Sequence, residues 1–222
     1  NTGFKKIYSK NRLLTTVCYR LNEKSTYALE GSIFVAGAAI QWIRDKMKFI
    51  KKADDTEKIA KSLKTNNGVF LVPAFVGLGA PYWDSKSRGV LSGLTRDTGP
   101  AEIIRAALES SAYQTHDLFK AMKKDGLNPK YIKIDGGMVK NNWFCQFLSD
   151  VLNLKIYRSQ VNETTALGAA FIAGLKVGEY KSLNEIKKKW KVEKTFKPKF
   201  NDPHRKKLIN QWIKSVKKAL IH

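Results

Sequence analysis

The stretch that most constrains how this chain can fold is Tyr131 to Gln146, YIKIDGGMVKNNWFCQ. Tyr131, Ile132 and Ile134 are β-formers in a run of four, which predicts a short strand. Asp135-Gly136-Gly137 breaks it. From Val139 onward Trp143, Phe144, Phe147, Leu148 and Val151 recur at helical spacing. The unit is therefore strand, Gly-Gly turn, helix. Paired glycines let the backbone turn with positive φ and leave no Cβ between main chain and ligand. A helix start adds unpaired N–H groups and partial positive charge, which suit a phosphate. Gly137 and Asn141 are four apart, so the amide is expected to stand over the bare glycine on one helix face. The same residues also fit an ordinary tight turn with Asn141 solvated.

A second pair repeats that arrangement. Ile33 to Ile43, IFVAGAAIQWI, is apolar almost all round and predicts a buried helix, with Ser32 as its cap. Gly37 then lies in the helix interior, where it costs about 1 kcal/mol against alanine. Either close helix packing or a ligand must want the missing Cβ. Gln41 lies four residues on, on the same face. Two amides, each beside a glycine, form a plausible clamp for a purine base.

The other elements are more ordinary. Leu13 to Tyr19 and Tyr27 to Leu29 predict a hairpin turning at Glu23-Lys24. Asp54 to Leu63 is a polar helix or excursion, and Val69 to Phe75 a buried strand ended by Pro73. In Val76 to Asp84, dense in glycine, proline and aromatics, Tyr82 and Trp83 either pack at a domain boundary or wall a cleft. No GK[ST] follows its glycines, which rejects a Walker loop. Gly89 to Leu94 is a strand. Pro100 leads into a helix over Ala101 to Lys123, its buried face carrying Ile103, Ile104, Ala107, Leu108, Ser111, Ala112 and Leu118. After a strand at Leu154 to Tyr157, Asn162 and Glu163 prepare a helix over Thr164 to Val177. Its small residues predict close packing. Asn201 or Asp202 caps a last helix with the stripe Leu208, Trp212, Ile213, Val216 and Leu220.

A length of 222 residues allows one domain or two small ones. The formal charge is +22, and residues 176–222 hold fifteen Lys/Arg against four Asp/Glu. Lysine dominates there and no zinc-finger, RNP or KH pattern appears, so solvated helix faces are favoured and specific nucleic-acid recognition is not expected. No apolar run approaches the roughly 18 residues of a membrane helix, so no membrane insertion is expected. Cys18 and Cys145 form no ligand spacing, no metal site is expected, and two free thiols suit a reducing cytoplasm. The chain opens Asn1-Thr2-Gly3, which reads as the middle of something longer.

Taken together, these residues resemble the C-terminal half of an FGGY carbohydrate kinase. Gly89-x-Leu91-x-Gly93-Leu94 followed by Glu102-Ile103 and Ala106-Ala107-Leu108-Glu109 is similar to the second family signature. Asp135-Gly136-Gly137-x-x-x-Asn141-Asn142 and Thr165-Ala166-Leu167-Gly168-Ala169-Ala170 extend the match. Tyr27 to Gly31, Gly37-x-x-x-Gln41-Trp42 and Pro73 to Asp84 are similar to the glycerol-phosphorylating branch in particular. The resemblance implies an α/β, ribonuclease-H-like fold of the actin/hexokinase/Hsp70 ATPase superfamily. Residues 1–222 would form its C-terminal nucleotide-binding domain, with the substrate domain upstream and absent from this chain. It further implies that Gly37, Gln41, Gly137 and Asn141 contact ATP or ADP, that Mg²⁺ takes part, and that the complete protein phosphorylates glycerol as a homo-oligomer. No residue here matches the family's general base or its acceptor-binding side chains. The chain alone is therefore expected to be inactive, and Asp84 and Asp135 to be structural. Alternatives are another sugar kinase of the family, such as a xylulokinase, or a standalone nucleotide-binding module.

Overall fold

The computed structural model describes residues 1–161 and 163–220. In chain order its elements are β1 (Leu14–Leu21), β2 (Lys24–Glu30), α1 (Gly37–Asp45), α2 (Asp55–Ser62), β3 (Phe70–Val72), β4 (Val90–Ser92), α3 (Pro100–Lys124), β5 (Tyr131–Ile134), α4 (Asn142–Leu152), β6 (Lys155–Ser159), α5 (Thr164–Lys176), α6 (Leu183–Lys189), β7 (Val192–Phe196) and α7 (Asp202–Ala219). A single 3₁₀ turn, Gly137–Lys140, sits between β5 and α4.

Helix α3 is the spine against which the rest is built. Pro100 occupies its first turn, where a missing N–H costs nothing, and Glu102 reaches back to accept the Gly99 N–H at 3.0 Å. Ile104, Ala107 and Leu108 pack with α1, α2 and β3. Ala112 and Tyr113 join β3, α4 and α7. Leu118 and Ala121 meet Leu13 and Leu29 at the hairpin. A helix buried along its length cannot confine its polar residues to one solvent face. Arg105 and Glu109, one turn apart, are both buried and pair at 2.8 Å.

Three small sheets surround this spine. β1 and β2 pair antiparallel around Asn22 and Glu23, both at positive φ (49° and 62°), one residue earlier than the sequence predicts. β3 and β4 pair antiparallel, and Pro73 falls just past the end of β3. β5 and β6 are parallel, joined through α4, and β7 adds antiparallel to β6. The basic tail is thus partly structural. Its Trp212 is fully buried and stacks on Tyr113 at 5.3 Å. Asp117 Oδ2 accepts from Trp212 Nε1 at 2.7 Å and from the Tyr82 hydroxyl at 2.8 Å. Asn201 caps α7 by accepting the His204 N–H.

Two sequence expectations are corrected. α1 begins at Gly37, not near Ile33, and Ala36 rather than Ser32 precedes it, with no side-chain cap. The apolar run Ile33 to Ala36 bends and is held out of the helix by tertiary bonds. Ser32 O accepts the Ala80 N–H at 3.0 Å, and Val35 O accepts from Gln114 Nε2 at 3.1 Å. Gly37 is therefore the first helical residue and not an interior one. The second correction concerns α5, where close packing is expected. Among the described residues only Gly174 of this helix is buried, against the Tyr180 ring. Ala169, Ala170 and Ala173 are exposed in this chain, since small side chains permit close contact but do not create it. Asn162 lies outside the described residues, and Glu163 precedes the helix without capping it.

Candidate functional site

One cavity of about 590 Å³ collects all four residues singled out in the sequence, Gly37, Gln41, Gly137 and Asn141. That volume is within the range of small-molecule sites, about 300–1,000 Å³. α1 supplies one wall through Gly37, Ile40, Gln41 and Arg44, spaced so that they share a helix face. The start of α2 supplies a second through Ala53, Asp54, Thr56 and Glu57. The turn after β5 supplies the third through Gly137, Met138, Lys140 and Asn141, and Leu108 of α3 closes the back.

The two glycines are bare for a reason that lies outside the packing. A Cβ built on Gly37 or on Gly137 meets no atom within 4 Å. Helix packing within this chain therefore does not require the missing side chain at Gly37. Both glycines instead open onto the cavity.

Asn141 reaches the cavity by a different route from the one its spacing suggests. It does not stand on the same helical face as Gly137, because the 3₁₀ turn ends at Lys140 and Asn141 is the extended cap of α4. Its Oδ1 accepts the Phe144 N–H at 2.9 Å, and its Nδ2 donates to Thr56 Oγ1 at 3.2 Å. One amide hydrogen is left for a ligand. Thr56 in turn donates to Ala53 O at 2.6 Å. The α4 start is thus fixed to the α2 start. The Gln41 side chain, by contrast, is exposed and makes no hydrogen bond among the described residues.

The charges are mixed. Arg44 is forked onto its neighbour Asp45 at 2.7 and 2.9 Å, and Lys140 is exposed. Burial alone pushes the Glu57 carboxyl up. Hydrogen bonds from Lys61 at 2.5 Å and from the Asn142 N–H at 3.1 Å outweigh it and hold the group below the usual carboxylate range. Arg44 was findable in the sequence, being seven residues from Gly37 on the same face. Thr56 and Glu57 were not, because only the fold brings α2 opposite the turn. Tyr82 and Trp83 line no part of this cavity. Trp83 donates to Arg12 O at 2.7 Å and meets Phe34 edge-on.

Behind the turn lies Cys145, fully buried, its Sγ donating to Val139 O at 3.1 Å. Burial pushes this thiol up to about 11, whereas Cys18 is exposed. At pH 8 only about a thousandth of Cys145 is thiolate, the nucleophilic form. Titration with a disulfide reagent should give one fast equivalent in the native chain and two in denaturant. Two fast equivalents without denaturant would contradict this burial.

With this geometry in view, the chain belongs to the FGGY family of carbohydrate kinases. Residues 4–177 match the model of the family's C-terminal domain. It is 54% identical over 221 residues to a glycerol kinase of Clostridium botulinum, and 53% identical over 220 to one of Ectopseudomonas mendocina. Each alignment covers 99% of this chain and 44% of the relative, so the chain spans less than half the length of these proteins. Plasmodium falciparum glycerol kinase crystallised with ADP superposes with a TM-score of 0.92 at 40% identity, over all of this chain and 45% of that one. A xylulose kinase of Lactobacillus acidophilus superposes at 0.79 with 23% identity, over 94% of this chain and 42% of that one, a likeness of fold alone. The fold is thus the α/β, ribonuclease-H-like one of the actin/hexokinase superfamily.

Proposed function

We propose that residues 1–222 are the C-terminal nucleotide-binding domain of an ATP-dependent kinase that phosphorylates glycerol to sn-glycerol 3-phosphate. The observation that carries this reading is the cavity onto which Gly37 and Gly137 open with nothing against their missing side chains. Backbone left bare at two walls of one cavity suits a flat base and a phosphate chain that must come close. Gln41 and Asn141 would hold the purine, and the Gly137 backbone would lie by the phosphates. The relatives at 53–54% identity are glycerol kinases, and one structural neighbour carries ADP, which favours glycerol and an adenine nucleotide over a pentulose.

In such a kinase the transferred phosphoryl group is stabilised by positioning and charge. The part assigned to this chain is to bind and orient the nucleotide. The general base and the glycerol-binding side chains would lie in the longer protein. Among the described residues no group of three or more His, Cys, Asp or Glu is placed to hold a metal. Magnesium would be carried on the nucleotide phosphates with water and one or two carboxylates of the complete protein, as is usual for this ion. No described helix is long and apolar enough to cross a membrane. A cytoplasmic homo-oligomer remains part of the proposal for the complete protein.

Gln41→Ala tests the base site. The residue is exposed and unbonded, and alanine is the better helix former. Losing one neutral hydrogen bond should raise the Kd for ADP roughly 2–10-fold, measured by calorimetry on this chain, with Tm unchanged. An ADP affinity untouched by the substitution would put the base elsewhere.

A further inference from the structure

We propose that Arg158 and Glu193 are positioning residues for the nucleotide's phosphates, acting by clamping the main chain of the Gly-Gly turn. The proposal rests on the nucleotide reading of the cavity. Neither residue lines that cavity, and Glu193 stands on β7, beyond the residues matched by the family's domain.

The Arg158 guanidinium is buried beneath the turn and is engaged on two sides. Its Nη1 donates to Val139 O at 2.7 Å, with a longer contact to Lys140 O at 3.4 Å. Its Nε and Nη2 donate to the two carboxylate oxygens of Glu193, each at 2.9 Å. Val139 and Lys140 end the 3₁₀ turn whose Gly137 and Lys140 face the cavity. A bidentate fork fixes the plane of the guanidinium as well as its charge. The Nη1 group is thereby aimed at the turn. β6 and β7 are adjacent strands, so the clamp is anchored in a sheet rather than in a loop. Val139 O accepts a second donor from Cys145 Sγ. The carbonyls of this turn are held from below, which leaves its opening N–H groups to face the ligand. Glu193 itself is half exposed, so its loss leaves little unfilled volume.

Two variants of this chain test the clamp: Glu193→Ala, and Arg158→Lys, which keeps the charge but cannot make the fork. Without nucleotide, amide hydrogen exchange over residues 137–141 should accelerate about tenfold or more in both, with exchange elsewhere unchanged. With nucleotide, the Kd for ADP should rise roughly tenfold while that for adenosine stays put, because only ADP carries phosphates to the turn. A merely structural role would weaken ADP and adenosine together, and that result would overturn the proposal. So would unchanged exchange at the turn. Failure of the unaltered chain to bind either ligand would instead overturn the nucleotide reading and with it the phosphate role. The exchange result stands apart from that failure, and reports the clamp on the turn directly.

Discussion

Glu109→Ala should be among the most damaging single substitutions in this chain, lowering stability by about 3–5 kcal/mol, a fall in Tm on the order of 10 °C. Glu109 is 1% exposed, and burial pushes its carboxyl up against the pull of Arg105, Tyr113 and Asn66. Its oxygens accept from Arg105 at 2.8 Å, Asn66 Nδ2 at 2.9 Å and the Tyr113 hydroxyl at 3.2 Å. Truncation removes an acceptor from three buried donor groups, one of them carrying a full positive charge, and Asn66 Nδ2 keeps only Val69 O at 3.1 Å. The guanidinium keeps only the carbonyls of Ala60 and Leu63 and the face of Trp143 at 4.9 Å. Glu109→Gln retains an acceptor of the same shape and should lose less, while pairing Glu109→Leu with Arg105→Met should recover much of the loss. Urea denaturation of the four proteins reads these differences. A Glu109→Ala chain as stable as the parent would show that the buried pair contributes nothing. Because Arg105 joins the end of α2 to α3 and touches α4, the same loss should loosen the walls of the cavity.

That network marks the limit of what the sequence discloses. Apolar periodicity in α3 identifies Ile104, Ala107, Leu108 and Ala112 as buried. It cannot identify Arg105 and Glu109, because an i,i+4 charge pair reads equally as a solvated salt bridge. The strand, Gly-Gly turn and helix at Tyr131 to Gln146 were legible, since both periodicities and the breaker lie within sixteen adjacent residues. The start of α1 was not, because the bonds that keep Ile33 to Ala36 out of the helix come from Ala80 and Gln114. The gathering of Gly37 with Gly137 followed from a repeated local pattern. The Arg158 to Glu193 clamp left no such trace, since its partners lie 35 residues apart and meet only through strand pairing. Local rules thus reached the cavity-facing residues of α1 and the Gly-Gly turn, and missed both the α2 wall and the pair behind the turn.

The contrast between the two adjacent glycines gives the sharpest test of the site. Gly136 has φ of 94° and ψ of 179°, a conformation that side-chain-bearing residues rarely adopt. Gly137, the first residue of the 3₁₀ turn, is not at positive φ. A Cβ on either meets open space in the chain as it stands. Gly136→Val should therefore cost about 1–3 kcal/mol of stability through backbone strain alone. Gly137→Val should leave Tm nearly where it was, because its backbone is not at positive φ and its Cβ meets no protein atom within 4 Å. Its branched side chain would stand at the wall of the cavity, where the nucleotide's phosphates are proposed to lie. Overpacking a fitted contact costs about 1–3 kcal/mol, which weakens ADP binding by roughly 5- to 150-fold. The two neighbours should thus separate cleanly, one losing stability and the other losing ligand. Calorimetry with ADP and thermal melts on both variants measure it. A Gly137→Val chain that binds ADP as tightly as the parent would remove Gly137 from the phosphate site, since a valine cannot share that space with a ligand in contact with the main chain.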